Sequence, residues 1–536
     1  MNAVNAPGPT THPYVIGVDI GTQSTKAVLV RTDGRIVAQA SQAYQVETPR
    51  PLWAQQWPQV WLDAVAATIR GVLERSGIDA AQVHALCVSS LYGGSGIAVD
   101  AAGQPLYPCL IWMDRRAQDE VEWVRANVDL ERLHDITGNG VDSYYGYTKM
   151  LWLRDKEPQV WARIAHFLPP NSYIAAQLTG EVAVDHSSAG NIGGIYDIAR
   201  RQWSDEAMAM LGIPRRLMPD RLVESSDVVG PLRAQWARQL GLPEGLPVVA
   251  GGVDAAMATL AAGAAQPGNH VAMIGTSMCW GTIRQGVDAR HGLISMPHVF
   301  NGRHDLYVFG GAITAGASVS WFRENFCQAE IAAAREAGGD PHALLEREAS
   351  PLPPGCDGLL FLPYLMGERS PVWDAQASGS FVGLGLHHGR PQLYRAVLEG
   401  VSFALRHNIE AGVRGVERLD EQLVVVGGAS HSDLWMQIIA DVTGRVVHTI
   451  AEDVEASLGA ALLAAFGTGL IDAETVRRGW VRPVERARPN AAAHARYDAL
   501  FEQYVATYLT LKPVMHRLRR IGADTLSPPA DTTRRQ

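Results

Sequence analysis

Strand-like and helical hydrophobic patterns alternate along most of the chain. The apolar runs YVIGVD (residues 14–19) and KAVLV (residues 26–30) flank a glycine turn, and a third strand-like run follows the Asp33-Gly34 turn. These runs predict an antiparallel meander. The next segment, PQVWLDAVAATIRGVLERSG, has helical spacing and leads into a strand-like ALCVSS. This alternation predicts α/β layers dominated by helices and parallel strands.

A second hairpin resembles the first. The segment HVAMIGTSMCWGTIRQG, which begins at residue 270, is strand-like on both sides of a Gly-Thr-Ser turn. Its likeness to IGVDIGTQSTKAVLV indicates an internal duplication, with one glycine turn in each of two similar domains. The predicted domain boundary, which we also interpret as a hinge, falls near residues 260–269.

A third strand ends in glycines further along the chain. In EQLVVVGGASHSDLWMQIIADVTG, a buried strand leads to two glycines and then to a helix predicted to start near residues 430–432. The later stretch RPNAAAHARYDALFEQYVATYLTL is predicted to be one amphipathic helix on the outside of the protein.

The three glycine turns are candidates for phosphate binding. Backbone N–H groups without a neighbouring Cβ allow phosphate oxygens to approach closely. A single turn of this kind is more typical of an ordinary hairpin, but two matched turns and a strand-GG-helix segment favour phosphate binding. The chain contains neither a Walker A motif nor a dinucleotide fingerprint, and a Rossmann dehydrogenase is therefore disfavoured.

Asp254 is the most informative acid in the sequence. It lies in LPVVAGGVDAAMATLAAG and is the only formal charge between Glu244 and Arg284. An acid in so apolar a run is costly to bury without a partner or a task. It is predicted to be a general base that accepts a substrate hydroxyl proton; the structural alternative is an N-cap of the following helix, and the two roles are compatible.

Asp19 and a group of aromatic loops complete the candidate chemistry. Asp19 ends the first strand, where a carboxylate suits Mg²⁺ directly or through water, or else caps a turn. The loops Leu91–Gly94, Trp112–Arg116 and Tyr144–Gly146 combine aromatic, acidic and glycine residues, as a polyol pocket requires. Arg115 and Arg116 alternatively begin a solvated helix, and we expect at least one of them on the surface.

Composition narrows the class of protein. The chain has 536 residues, 47% of them apolar and 19% charged, with a net charge of −9, so a general polyanion binder is disfavoured. Five scattered cysteines without a C-x-x-C pair indicate neither disulfides nor zinc, and fit a reducing cytoplasm. No signal peptide or apolar run of membrane-spanning length is found.

From about residue 14 to 510, the chain resembles the FGGY carbohydrate kinases, and among them the xylulokinases. The segment Gly379–Gly400 is similar to the C-terminal signature of the family with its spacing intact. The N-terminal signature around Lys149–Trp152 is approximate, because Gly146 occupies a place usually held by Ser, Thr or Pro. The other passages that carry the resemblance are IGVDIGTQSTKAVL, PLWAQQWPQVW, LIWMDRR, KMLWLRDKEP, LTGEVAVDHSSAG, VVAGGVDAAMATLAAG, IGTSMCWG, FLPYLMGERSP and VVVGGASHSDLWMQIIADVTG.

The resemblance implies an α/β fold of two actin-like, ribonuclease-H-like domains around a cleft. It places a sugar-binding domain at residues 14–262 and an ATP-binding domain at 263–515, with flexible tails at 1–13 and 521–536. It implies ATP and Mg²⁺ as cofactors, and a small sugar or polyol as partner without nucleic acid or membrane. A homodimer is left open. The site residues that it implies are Asp254 as catalytic base and sugar ligand; Leu91, Tyr92, Trp112, Asp114 and Tyr144 for the sugar; Gly21, Thr22, Gln23, Lys26, Gly275, Thr276, Ser277, Gly427, Gly428 and Ala429 for ATP; and Asp19 for the metal.

Two departures from the xylulokinase pattern leave the identity of the sugar open. Leu91-Tyr92 stands where xylulokinases carry Met-His, and Ala255 follows the base where Asn or Gln is common. The predicted activity is phosphorylation of a primary hydroxyl of a D-xylulose-like ketopentose. The alternatives are a kinase for D-ribulose, L-ribulose, a tetrulose or a tetritol and, in another class, a sugar-independent actin-type ATPase.

Overall fold

The computed structural model describes residues 13–286, 292–336, 338, 341–413, 418–450 and 455–526. Most of the two predicted tails, residues 1–12 and 527–536, lies outside these ranges. Residues 521–526, which were predicted to be part of the C-terminal tail, instead continue the last helix. All five cysteines are free thiols.

The described part of the first half of the chain contains fourteen strands and ten α-helices. The strands are β1 (Tyr14–Ile20), β2 (Ser24–Arg31), β3 (Ile36–Ala43), β4 (Gln55–Gln56), β5 (Val83–Ser90), β6 (Ile97–Val99), β7 (Cys109–Leu110), β8 (His166–Leu168), β9 (Val184–Asp185), β10 (Tyr196–Asp197), β11 (Gln202–Trp203), β12 (Leu222–Val223), β13 (Val228–Pro231) and β14 (Pro247–Val249). The helices are α1 (Pro58–Ser76), α2 (Gln118–Asn127), α3 (Leu130–Thr137), α4 (Gly146–Lys156), α5 (Pro158–Trp161), α6 (Pro170–Thr179), α7 (His186–Asn191), α8 (Asp205–Leu211), α9 (Ala234–Leu240) and α10 (Asp254–Ala261).

The described part of the second half contains nine strands and eight α-helices. The strands are β15 (His270–Ile274), β16 (Met278–Gln285), β17 (Ile294–Pro297), β18 (Asp305–Gly310), β19 (Leu360–Leu362), β20 (Ser380–Val382), β21 (Gln422–Val426), β22 (Val446–Thr449) and β23 (Val484–Ala487). The helices are α11 (Gly316–Phe326), α12 (Gln328–Glu336), α13 (Pro341–Ala349), α14 (Arg390–Gly412), α15 (Asp433–Thr443), α16 (Ala456–Gly467), α17 (Ala473–Arg478) and α18 (Ala491–Leu526). Short 3-10 turns lie at Ala80–Gln82, Arg215–Leu217, Cys356–Gly358 and Gly428–His431.

Two mixed sheets organise the fold. The first has six strands in the order β13-β14-β5-β1-β2-β3, and the second has seven in the order β17-β18-β16-β15-β21-β22-β23. In the first sheet β1 pairs antiparallel with β2 and parallel with β5, and in the second β15 pairs antiparallel with β16 and parallel with β21. The matching arrangement confirms the predicted α/β fold and the predicted similarity of the two hairpins.

One hydrophobic core extends across the predicted boundary at residue 262. The first core also contains side chains from residues 456–481, which the predicted division at residue 262 assigns to the second domain. Helix α16 packs directly on β1: a Cβ at Gly17 would lie 2.0 Å from the Ser457 carbonyl oxygen. Helix α16 therefore belongs to the first domain, although it follows six of the seven strands of the second sheet. The chain then re-enters the second domain with β23 and α18.

Side chains also join the two halves away from this return. Asn139 donates to the Ser295 carbonyl and accepts from its backbone N–H, each at 2.9 Å. The Tyr307 hydroxyl of β18 lies 2.7 Å from the Thr259 hydroxyl of α10. These contacts fix β17 against the loop that follows α3 and β18 against α10, the helix that begins with Asp254.

Candidate active site

The candidate site begins at one edge of the first sheet. Strands β1, β5 and β14 are parallel, and therefore their carboxyl ends meet at this edge. Asp19 lies near the end of β1, and Ser89 of β5 donates to its Oδ1 at 2.5 Å. Ser90 N–H donates to the Gly252 carbonyl at 3.1 Å, so the segment that leads to Asp254 runs alongside the end of β5.

The two glycines before Asp254 are required by close packing. Gly251 has φ of +71°, and a Cβ there would lie 1.8 Å from the Val88 carbonyl oxygen. At Gly252 a Cβ would lie 2.4 Å from Ser187 Oγ. No other residue fits these positions without displacing β5 or α7. The segment between β14 and α10 therefore crosses the sheet edge as bare backbone.

Asp254 is the first residue of α10 rather than its N-cap, which is Val253. Burial raises the pKa of Asp254 from its ordinary 3.8 to about 8, the negative charge of Asp19 adds to this, and a hydrogen bond from Ala255 N–H opposes it. Burial also raises the pKa of Asp19 to about 6 against the hydrogen bond from Ser89. The two carboxyl groups lie near each other, and a base with a pKa near the working pH suits general base catalysis.

The first glycine turn, Gly21–Gln23, lies beside these acids. Trp112 Nε1 donates to Thr22 Oγ1 at 3.0 Å, and the Tyr44 hydroxyl donates to the Gly21 carbonyl at 2.7 Å. Lys26 pairs with Asp19 across the β1–β2 ladder, and its ammonium group forms an ion pair with Glu455 at the start of α16. The side chain of Gln23 is exposed. The turn is thus held from both sides at the sheet edge.

The second and third glycine turns meet at a large cavity in the second domain. The cavity has a volume of about 930 Å³ and is lined by Gly275 and Thr276 on one side and by Gly428 and Ala429 on the other. Ser277 and Gly427 belong to the same turns without lining the cavity. Trp321, Tyr394 and Trp435 add aromatic wall, which sequence reasoning missed because these residues lie in ordinary helices. An apolar cavity bounded by glycine turns suits a nucleotide.

The predicted sugar side of the first domain is an aromatic surface. The ring of Tyr144 and the Cβ of Trp112 lie against Gly93. The Tyr144 hydroxyl donates to Asn191 Oδ1 at 3.4 Å, and its pKa responds to burial first and then to the charges of Arg369 and Asp254. The Tyr92 hydroxyl is buried without a hydrogen-bond partner among the described residues. The charge of Asp254 thus acts on the Tyr144 hydroxyl, which links this aromatic surface to the sheet edge.

Two predicted sugar residues are placed elsewhere. The side chain of Leu91 is buried in the core. Its backbone N–H donates to the Ile20 carbonyl at 2.8 Å, so Leu91 extends the edge of the sheet. The carboxylate of Asp114 is fully buried in a 2.8 Å ion pair with Arg116, and it also accepts from Ala54 N–H at 2.6 Å. The Arg116 guanidinium stacks 3.7 Å above the Trp53 ring. Asp114 thus folds the loop and leaves no carboxylate oxygen for a sugar, whereas Arg115 is partly exposed as expected.

Lys149 fixes the shape of this aromatic surface. Its fully buried ammonium group donates to the carbonyls of Gly93 and Tyr144, both at 2.7 Å. Burial lowers the pKa of Lys149 to about 7. The sequence contained this residue in the approximate family signature but gave no role for it. The structure shows that it holds the two aromatic loops together.

A loop of the second domain faces the same surface. In GERSPVWD, residues 367–374, Glu368 Oε1 accepts from the backbone N–H groups of Ile313 and Arg369 at 3.0 and 2.7 Å. The Arg369 guanidinium carbon lies 5.7 Å from the centre of the Trp112 ring in the first domain. We use "the cleft" for the space bordered by Asp254, Tyr144 and Trp112 on one side and by Arg369 on the other.

The C-terminal helix α18 holds this loop from behind. His516 Nε2 lies 2.7 Å from Asp374 Oδ2, and the Tyr508 hydroxyl donates to the same oxygen at 2.8 Å. Burial alone would raise the pKa of Asp374, but hydrogen bonds from His516 and Tyr508 hold it below its ordinary value. Arg519 donates to the Ala377 carbonyl at 3.1 Å. The residues that support the loop are at least 134 positions away from it in the sequence, so only the folded structure reveals the contact.

Two comparisons bear on the class of this site. The chain matches the FGGY family of carbohydrate kinases, N-terminal domain, over residues 14–261 and the C-terminal domain of the same family over residues 270–468. A xylulose kinase of Lactococcus lactis is 31% identical over 512 residues, which is 94% of this chain and 98% of the relative. A gluconokinase of Bacillus subtilis is 29% identical over 528 residues, which is 97% of this chain and 98% of that protein.

A solved structure points to the same family. The crystal structure of xylulose kinase from Rhodospirillum rubrum has a TM-score of 0.85 at 33% identity and covers 94% of this chain and 100% of its own. The two sheets and the cleft define a phosphotransferase of the actin-like type. The chain belongs to the FGGY family of carbohydrate kinases, and it is therefore a sugar kinase that uses ATP and a small-molecule sugar. Every helix in the described ranges is too short or too polar to span a membrane.

Proposed function

We propose that this enzyme transfers the γ-phosphoryl group of ATP to a primary hydroxyl of a ketopentose similar to D-xylulose. The observation that carries the proposal is Asp254, a carboxylate with a pKa of about 8 at the sheet edge, beside the aromatic surface of the cleft. Xylulose kinases at 31 and 32% identity over more than nine tenths of the chain support the ketopentose. The cytoplasmic location and a homodimer stay predictions.

In the proposed reaction Asp254 orients the sugar hydroxyl and accepts its proton as the phosphorus–oxygen bond forms. The backbone N–H groups of the Gly21–Gln23 and Gly275–Ser277 turns offset negative charge on the phosphate oxygens. The second-domain cavity holds the rest of the nucleotide. Movement of the two domains toward each other excludes water and so limits ATP hydrolysis.

The residues present fit Mg²⁺. In proteins this ion is typically held by one or two carboxylates together with phosphate oxygens and waters. Asp19 and Asp254 supply two neighbouring carboxyl groups whose charges repel each other, and the described residues contain no group of three or more metal-ligating side chains. Asp19 would hold the ion, directly or through water, and the bound ion would neutralise phosphate charge during transfer.

A sugar acid is the second candidate substrate. The B. subtilis gluconokinase is nearly as similar to this chain as the xylulose kinases. Arg369, moreover, brings to the cleft a guanidinium group whose Nε has no hydrogen-bond partner among the described residues. A gluconate-like carboxylate would satisfy it. Asp254 and the aromatic surface argue against the sugar-independent ATPase, because that activity needs neither.

The test is ADP release by the purified protein with ATP and Mg²⁺. The substrates are D-xylulose, D-ribulose, L-ribulose, D-gluconate, tetruloses and tetritols, and each is repeated with Asp254→Ala. We expect strong stimulation by one ketopentose and a loss of at least about 10³-fold in kcat for the variant. ADP release that no sugar stimulates, or a variant as active as the parent, would refute the proposal.

A further inference from the structure

Arg369 crosses from the second domain to the sugar side of the first. Its guanidinium lies over Trp112, and its charge acts on the Tyr144 hydroxyl. Its Nε is buried without a hydrogen-bond partner in the described part of the chain. Two other buried arginines have acid partners: Arg116 has Asp114, and Arg395 has Glu399. Burial raises the pKa of the neighbouring Glu368 carboxyl and the charge of Arg369 lowers it, but no hydrogen bond joins the two side chains. A partly buried guanidinium with an unsatisfied Nε is costly, which indicates that a ligand completes its hydrogen bonds.

Arg369 and Asp254 act on a shared surface from different positions. The pKa of Tyr144 and that of the Cys279 thiol both respond, after burial, to the positive charge of Arg369 and the negative charge of Asp254. Asp19, rather than Arg369, is the neighbouring charge that acts on Asp254 itself. Tyr144 and Cys279 therefore lie within reach of both groups. This surface offers a path along which a chain-like substrate with one hydroxyl at Asp254 would extend toward Arg369.

We propose that Arg369 is a specificity-determining residue that donates hydrogen bonds to oxygen atoms at the end of the sugar remote from the phosphorylated hydroxyl. The inference rests on the proposed function. The oxygen atoms belong either to the terminal hydroxyl and carbonyl of a ketose or to the carboxylate of an aldonate. The planar guanidinium offers several N–H donors in a fixed fork and suits either arrangement, and Trp112 supports its face.

The loop that carries Arg369 is held in place before any ligand binds. The backbone N–H of Arg369 donates to the Glu368 carboxylate at 2.7 Å, and the backbones of Glu368 and Asp374 exchange hydrogen bonds at 2.9 and 3.0 Å. Asp374 in turn is held by His516 and Tyr508 of α18. A donor fixed in this way loses little entropy when it binds, and so it discriminates among substrates effectively.

The experiment compares Arg369→Met and Arg369→Lys with the parent enzyme on two pairs of substrates. D-Xylulose is paired with 1-deoxy-D-xylulose, and D-gluconate with D-glucitol, so that each pair differs only in remote oxygen atoms. Arg154→Met is the matched control, because Arg154 also lies over a tryptophan, 5.6 Å from Trp123, but outside the cleft. ADP affinity, measured by calorimetry, serves as a check on folding.

For the parent we expect kcat/KM to fall about 10- to 100-fold when the remote oxygen of the preferred substrate is removed. For Arg369→Met the two members of the pair become equal within about 3-fold, mainly through a higher KM, while Arg369→Lys keeps part of the preference. A ketose preference identifies hydroxyl and carbonyl oxygens as the partner, and an aldonate preference identifies a carboxylate. ADP affinity stays within about 2-fold of the parent in all three variants, since the nucleotide cavity does not contain these residues.

Two results would overturn the inference in different ways. If the parent is active but Arg369→Met keeps the full preference for the remote oxygen, Arg369 does not contact that end of the sugar, and the proposed function stands. If no sugar stimulates ADP release by the parent, the proposed function fails and the inference fails with it. An equal loss of activity for both members of each pair would also refute the specificity role.

Discussion

Replacing Asp254 with Asn should stabilise the protein while it abolishes activity. In the absence of ligand, Asp254 and Asp19 form a pair of neighbouring carboxyl groups that repel each other when both are ionised at high pH. A carboxyl group whose folded-state pKa is raised takes up a proton on folding, so it favours folding least at high pH. Stability is therefore lost as the pH rises from the unfolded value of 3.8 through the folded value of about 8. The amide of Asn carries no charge at any of these pH values.

The size of the effect follows from the pKa. At about 1.4 kcal/mol for each pKa unit, a shift from 3.8 to about 8 corresponds to at most about 5 kcal/mol at pH 8. Part of this free energy comes from the charge of Asp19. Asp254 is also partly exposed, and water therefore screens its charge. We therefore expect Asp254→Asn to be about 1–3 kcal/mol more stable than the parent at pH 8, with the gain disappearing near pH 4.

Differential scanning fluorimetry in EDTA, without nucleotide, measures the change. For domains of this size about 1 kcal/mol corresponds to a shift of roughly 2–4 °C, so the melting temperature should rise by several degrees at pH 8 and by little at pH 4. Asp63→Asn, on the exposed face of α1, is the control for the loss of one charge. An equal rise at both pH values, or a lower melting temperature at pH 8, would refute the assignment of a destabilising charge to Asp254.

Two further predictions concern the aromatic surface and the domains. Lys149→Met should raise the KM for the sugar at least about 10-fold without changing ADP affinity, because the Gly93 and Tyr144 carbonyls lose their common donor; an unchanged sugar KM in steady-state kinetics contradicts this role. Sugar and nucleotide together should shorten the distance between the two domains through a hinge near residues 260–269, measured by small-angle X-ray scattering. Identical scattering with and without both ligands would count against the hinge.

The sequence predicted those parts of the site that consist of local patterns. The strand, the two glycines and Asp254 lie in one continuous segment, and the structure explains both glycines by their contacts with β5 and α7. The glycine turns of the second domain were likewise predicted, and they meet at the large cavity of that domain. Such segments are informative because the chemistry and the backbone geometry occupy the same few residues.

Features that depend on distant contacts were missed or assigned incorrectly. Asp114 lies in a promising loop, but its partners Ala54 and Arg116 are revealed only by folding. Leu91 was assigned to the pocket from its neighbour Tyr92, although its side chain belongs to the core. The return of α16 to the first domain is invisible to local periodicity, because an apolar helix has the same pattern in either core.

The C-terminal helix lies beyond residue 468, where the match to the family ends, and yet it holds the loop that carries Arg369 through Asp374. An expression fragment cut at the end of the family match would keep both glycine-turn hairpins and Asp254 but release one wall of the cleft. In laboratory evolution toward a new sugar, substitutions at Tyr508 or His516 should consequently emerge among the selected changes, although neither residue contacts the substrate. Changes in the last helix can therefore alter sugar selectivity while the residues that carry out phosphoryl transfer stay the same.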